Sequence, residues 1–532
     1  MPAGLIHNPV LPGFHPDPSI VRVADTYYVA TSTFEWLPGV PVHRSADLAH
    51  WEPAGHILDR PDLVDLRGVA DSAGVWAASL SYHDGLFWLA YSIVRTTGHP
   101  FKDVDNYLIT APSVEGPWTA PVFLNSSGFD PSLFHDEDGR TWLLNIQWDA
   151  RDGRPSFAGI VLQEYDREQR RLTGRPRTIL THEELVEGPN VYRREGWYYL
   201  MLAHGGTGWN HGILMARSRS LDGPYELDPH GNLMTTRHTW QAPLLKAGHG
   251  ELVETPEGEW YIAHLASRPV DTEDGPRSIL GRETCIEKIV WTDDGWPRLE
   301  HGGTEPRVTV PGPLPATAAP AVAPAAGGAE RDDFDATTLD GSWCTLRVPA
   351  DPSWLSLTDR PGQLRLSGRQ SLHSRFEQSL VARRLNSVRC EARTVVDFRP
   401  DHFTQAAGLI CWYDTSTYFY LRVTHEAARG RILGLVENDA GAYREHPATD
   451  VDVDGWPAIH LRARFDAADL RLSASPDGLC WQDIGPVLDA SRLSDDYGDA
   501  LRFTGAFVGL CAQDLNGTRR PAYFDHFELK DR

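Results

Sequence analysis

Alternation of apolar and polar residues, not a helical period, organises this chain. In SIVRVA and TYYVATS, on either side of the turn at Ala24-Asp25, apolar and polar residues interleave over short runs. Val, Tyr and Thr dominate, which is the pattern of a β-hairpin. Runs of ten or more residues with a clean 3.6-residue period are hard to find. The turn and its aromatic strand recur as DTYYVATS from Asp25, GLFWLAYS from Gly85, GRTWLLNI from Gly139, GWYYLMLA from Gly196 and GEWYIAHL from Gly258. Self-similarity at such a period, with several strands per unit, is the mark of propeller blades stacked around a channel. Residues 1–310 are therefore expected to form a five-bladed β-propeller.

After residue 310 the pattern stops. VPGPLPATAAPAVAPAAGGAE is rich in Pro, Ala and Gly without periodicity or aromatics, so residues 311–329 read as an extended linker. Alternation returns from Glu330 in GQLRLSG, SLVARRL, EARTVVDF, AGLICWYD, YFYLRVTH, RILGLVE, AIHLRARF, LRLSAS, FTGAFVGLCA and YFDHFELK. These strands predict a β-sandwich over 330–532, so the whole chain is expected to be all-β.

Just upstream of each repeated turn, at nearly the same place, lie Asp17, Ala77, Asp130, Glu187 and His249. Radial stacking brings equivalent positions to one axis, so three carboxylates and a histidine should meet there. An aspartate before a strand is often only a turn former, but three acids at equivalent positions of one closed repeat need another account. Pro18, Pro131 and Pro189 stiffen the strand entries. Converging carboxylates repel and drive their pKa values apart. Acid–base catalysis uses that separation, and hydrolysis of a glycosidic bond is the reaction that asks for a carboxyl pair across the scissile bond. The 18 Trp, 17 Tyr and 18 Phe suit sugar stacking, although those in the repeated strands (Trp88, Tyr198, Tyr199, Trp260) read as blade core.

The motifs around these acids resemble those of glycoside hydrolase family 43, and within it the two-domain β-xylosidases. NPVLPGFHPDPSIVR, TSTFEWLPGV, GFDPSLFHD, EGPNVY, LGRET and FTGAFVG match that group's blocks in order along the chain. The resemblance implies a five-bladed propeller followed by a concanavalin-like β-sandwich, and inverting, exo-acting hydrolysis of short β-1,4-xylo-oligosaccharides, with α-L-arabinofuranosidase as a side or alternative activity. It makes Asp17 the general base, Glu187 the general acid and Asp130 the group that positions the acid and raises its pKa. An inverting pair needs room for water, about 6.5–9.5 Å between carboxyls. By the same resemblance Phe34, Trp76 and Trp148 wall the sugar pocket, Thr207 lies on the leaving-group side, and Arg282 donates to sugar hydroxyls or a carboxylate. His249 sits at the floor, and Phe507 reaches over from the sandwich as a cap. The second unit departs from the family in reading WAASLSY from Trp76, where an Asp usually follows Ala-Pro; His204 stands where an acid is common.

The net charge of −23 argues against nucleic-acid and anionic-membrane partners. No basic-then-apolar leader opens the chain and no apolar run reaches membrane-spanning length. Six cysteines without a CxxC pair read as reduced thiols in a cytoplasmic protein, and a homo-oligomer, dimer or tetramer, is expected. No cofactor or catalytic metal is expected. DVDVDG at Asp450 lacks the glutamate that closes a calcium loop, Leu461 standing in its place. A structural calcium in the sandwich would use Asp333 and Asp525. A metal-dependent hydrolase centred on His249 and the acids predicts activity loss on chelation, but a single axial His is a sparse ligand set. A non-catalytic sugar-binding protein is the reading from another class, and it predicts loss of one of the acids.

Overall fold

The computed structural model describes residues 4–98, 100–313 and 330–532. Its helical content among these is two single 3-10 turns, Pro447–Thr449 and Ala490–Arg492; the rest is strand and loop. Five antiparallel sheets form in chain order, their first strands being Ser19–Val23, Gly74–His83, Ser132–His135, Val186–Arg194 and Leu245–Glu254. Each first strand touches the first strands of the two neighbouring sheets, and the fifth touches the first, so they line a common axis. The repeated aromatic runs are the second strands: Thr26–Ala30, Leu86–Val94, Thr141–Trp148, Trp197–His204 and Trp260–Ser267. Their side chains fill the space between adjacent blades, which is why they are aromatic and β-branched.

The ring is fastened by its ends. Leu5–His7 pairs antiparallel with Thr309–Pro311. Asn8 then ties this arm to the fifth blade, its side-chain amide donating to the Ile286 carbonyl and its oxygen accepting from the Ile286 amide, each at 2.8 Å. Pro311, expected at the head of the linker, is thus the last residue of a strand. Most of the linker, residues 314–329, lies outside the described residues.

The C-terminal half forms two large antiparallel sheets packed face to face around a core that includes Trp343, Trp354, Tyr413 and Phe524. The second sheet also packs on the propeller: Trp412, Tyr418, Phe507 and Cys511 belong to the same apolar cluster as Trp36, Val75 and Leu200. The join includes backbone. Trp36–Leu37, in a loop of the first blade, adds as an edge strand to the sandwich through Cys344–Leu346. Next to it, Glu35 is buried beside Arg347 and Asp71, and burial pushes its carboxyl up to about 8. Trp36 and Phe507 stack at 3.9 Å between ring centroids, 19° from parallel, and neither is exposed. Phe507→Ala should therefore lower stability by about 3–5 kcal/mol, read as a fall in the denaturation midpoint. A midpoint within error of the unmodified chain would show that the interface does not depend on this stack.

Candidate active site

The axial positions converge through local irregularity. Asp17 and Asp130 share one conformation, φ 53° and 55°, each followed by proline and then by the first strand of its blade. A left-handed aspartate before proline is strained, and its recurrence in two blades turns both carboxyls toward the axis. In the other three blades the strand runs past the axial position through a bulge. The pairing register shifts between Trp76 and Ser79, Glu187 and Asn190, and Gly248 and Gly250, so Ala77, Glu187 and His249 lie at or within the breaks. Bulges re-aim side chains, and here they face the axis. Below them is a narrow axial cavity of about 20 Å³ bounded by Asp17, Asp130, Gly188, His249 and Glu251, enough for one water.

Asp17 is paired with a buried arginine. Arg282 Nη1 donates to its Oδ1 at 2.7 Å and to Thr207 Oγ1 at 3.1 Å, while Nη2 donates to the Phe503 carbonyl at 2.9 Å. The guanidinium is buried, so one side chain joins a carboxylate of the first blade, the loop of the fourth and the sandwich. Nδ1 of His249 stands 3.9 Å from the same oxygen.

Asp130 and Glu187 are set against Asp17. Burial, and then the neighbouring carboxylates, drive Asp130 well above the usual carboxylate range, although the Gly188 amide donates to its Oδ2 at 3.0 Å. Glu187 is also pushed up, by burial and by the charge of Asp17, and drawn back by Arg282 and Lys102. The three acids are therefore unequal: Asp17 is paired with a buried arginine, whereas burial biases Asp130 and Glu187 toward their protonated forms. Gly188 has φ 56°, and a Cβ there would stand 3.0 Å from the His249 ring. Glycine is thus required where the backbone passes between Glu187 and the histidine.

Aromatic rings close the other side. Phe34, Trp76, Phe129 and Trp148 follow one another at centroid distances of 6.0, 5.3 and 6.3 Å. The Lys102 ammonium lies over this wall, 4.6 Å from Trp76 and 4.9 Å from Trp148. Phe503 of the sandwich completes it, 5.4 Å from Trp76 and 6.1 Å from Phe34. Its amide donates to Ser72 Oγ at 3.1 Å; Ser72 in turn accepts the Trp76 indole N–H on its carbonyl at 3.0 Å. Both ends of the Phe503 peptide unit are therefore anchored to the propeller.

Residues 6–297 match the model of glycosyl hydrolases family 43, and residues 331–530 match the β-xylosidase C-terminal concanavalin A-like domain. The chain belongs to glycosyl hydrolase family 43. It is 43% identical to xylosidase/arabinosidase 43B of Humicola insolens, with 98% of this chain and 97% of that one aligned. It is 42% identical to the xylan 1,3-β-xylosidase of a Vibrio species over 98% of both. The crystal structure of xylan β-1,4-xylosidase from Bacillus halodurans C-125 superposes with a TM-score of 0.95 at 49% identity, covering 99% of this chain and all of that one.

Within this family 43 chain the structure brings together Asp17, Asp130, Glu187, His249, Arg282 and Thr207, with Phe34, Trp76 and Trp148 as one wall. It does not bring Phe507 there. That ring lies in the interdomain core on Trp36, and Phe503, four residues earlier, faces the pocket. The reason is local: the strand begins at Phe507 and buries its side chains, whereas residues 503–506 precede it as loop. Lys102, Ser72 and Phe503 were not anticipated. The first two carry no motif, whereas Phe503 opens the same FTGAFVG block that drew attention to Phe507. His204, in place of the common acid, is buried between Asn232 and Glu184 at 2.9 and 3.2 Å. Asp333 and Asp525 are engaged by Arg331 at 2.7 Å and His526 at 3.3 Å. Among the described residues no group of three or more His, Cys, Asp or Glu is placed to hold a metal.

Proposed function

We propose that this family 43 glycoside hydrolase is an exo-acting, inverting β-xylosidase that releases D-xylose from the non-reducing ends of short β-1,4-xylo-oligosaccharides. Asp17, charged opposite Arg282, accepts a proton from water, whose oxygen attacks the anomeric carbon. Glu187, protonated, gives its proton to the leaving glycosidic oxygen from the opposite face. Asp130 orients the acid through the Gly188 amide, while burial and the charge of Asp17 favour the protonated form of Glu187. The observation that carries this reading is the asymmetry of the three acids, one ion-paired and two raised by burial. Phe34, Trp76, Trp148 and Phe503 enclose one sugar ring, Thr207 and His249 contact it, and the cap supports action at chain ends. Assays of xylobiose, nitrophenyl xyloside and nitrophenyl arabinofuranoside test the reading. Xylobiose and the xyloside should be turned over faster; rapid arabinoside turnover with intact xylobiose would favour the second reading, an α-L-arabinofuranosidase. That reading is supported by the double name of the Humicola relative.

Since Glu187 must be protonated to act, activity should fall as pH rises through the neutral range. The Lys102 charge holds the acid's pKa down, so Lys102→Met should move the alkaline limb of the kcat profile to higher pH. A limb that stays in place or moves down contradicts the assigned electrostatics.

The cellular setting proposed is the cytoplasm, supported by six free cysteines, five of them buried, in a fold with no described disulfide. No helix of the described residues is long and apolar enough to cross a membrane. The proposed substrates are then short oligosaccharides taken up by the cell. A dimer or tetramer is proposed for the assembly, to be checked by light scattering.

A further inference from the structure

We propose that Trp240, backed by Trp209, forms a second sugar platform beyond the pocket, binding leaving-group xylosyl units of oligosaccharides longer than two residues. This rests on the β-xylosidase reading and names how far its site extends.

The first ground is position. Val186 pairs with His204, and His204 with Gly212, so the loop 205–211 emerges at the same end of the fourth blade as Glu187. Gly212 pairs with Thr235, and residues 236–244 then cross from that end to the first strand of the fifth blade, upstream of His249. Trp209 and Trp240 sit on these two connections, 5.6 Å apart and tilted by 33°. Thr207, two residues before Trp209, is the hydroxyl that accepts from Arg282. The pair therefore stands at the catalytic end, next to the residue on the leaving-group side.

The second ground is exposure. Trp240 is 55% exposed, the only Trp among the described exposed large apolar side chains. Its indole flanks an open groove of about 760 Å³ shared with His238, Gln241, Glu305 and Arg307. A flat aromatic face bordered by hydrogen-bonding side chains suits a xylopyranose, which offers C–H bonds on its faces and hydroxyls around its edge. An uncharged oligosaccharide also fits the mixed charge of the groove.

The third ground is rigidity. Lys246, buried, holds its ammonium 4.5 Å from the Trp209 ring and pairs with Asp495 at 3.3 Å and Asp496 at 2.5 Å, both on the sandwich segment leading to Phe503. On the other side Arg237 donates to the Asn210 carbonyl at 2.9 Å and pairs with Glu184 at 3.3 Å. With its loop held from both sides, Trp209 supports Trp240 without ordering on binding, which lowers the cost of association.

The test compares Trp240→Ala and Trp240→Phe with the unmodified chain on xylotetraose and nitrophenyl xyloside. The ratio of kcat/KM for xylotetraose to that for the xyloside should fall about tenfold in Trp240→Ala and be largely restored in Trp240→Phe. Calorimetry of xylotetraose binding in the Glu187→Gln background should show a matching loss of affinity on adding Trp240→Ala. A ratio within twofold of the unmodified chain overturns the proposal, as does a change confined to oligomeric state, which would make the Trp pair a contact between copies. Failure of the unmodified chain to hydrolyse any xyloside would instead count against the β-xylosidase reading.

Discussion

Glu187→Gln should lower kcat on xylobiose by about a hundredfold to ten-thousandfold while leaving binding nearly intact, because general acid catalysis contributes about 10²–10⁴. The amide keeps the shape of the carboxyl but has no proton to give. The loss should depend on the leaving group. Xylose departs as an alkoxide unless it is protonated, whereas nitrophenolate departs readily without help, so nitrophenyl xyloside should lose far less. Steady-state kinetics on the two substrates read this directly. Equal losses on both would mean that Glu187 does not protonate the leaving oxygen.

Arg282→Met is the second large effect. The guanidinium is the charged partner of Asp17 and also grips Thr207 and the Phe503 carbonyl. Removing one partner of a buried ion pair leaves the other charge unpaired and costs about 3–5 kcal/mol. Both the base and the cap depend on that pair, so kcat/KM should fall by at least about a hundredfold, with KM rising as Phe503 loses its anchor. Arg282→Lys should recover little, because a single ammonium cannot reach three partners in one plane. A lysine variant near full activity would reduce Arg282 to a source of charge.

The architecture was legible because a propeller repeats its chemistry. Turn-plus-aromatic strands recur where second strands must pack between blades, and Asp17, Asp130, Glu187 and His249 hold matching places at the axis. The strands read from the sandwich sequence likewise appear, from Leu364–Ser367 to Pro521–Asp531. The remainder depends on contacts that alternation does not encode. Lys102 lies in a loop before Val104–Ala111 and acquires its role only when folding lays it over Trp76 and Trp148. Ser72 links the pocket to the sandwich across 431 positions of sequence. Phe503 and Phe507 share one motif and one parity, and only the start of the strand decides which is core and which is cap. The bulges at Ala77, Glu187 and His249 were equally hidden, since each places an axial residue inside a strand and not ahead of it.

The stereochemistry of the first product tests the central claim most directly. Proton NMR of early xylobiose hydrolysis, recorded before mutarotation, should show newly released α-xylose, as single displacement by a water held at Asp17 with Glu187 as acid requires. Initial release of the β-anomer would mean two displacements through a covalent intermediate and would contradict the roles assigned to the three acids.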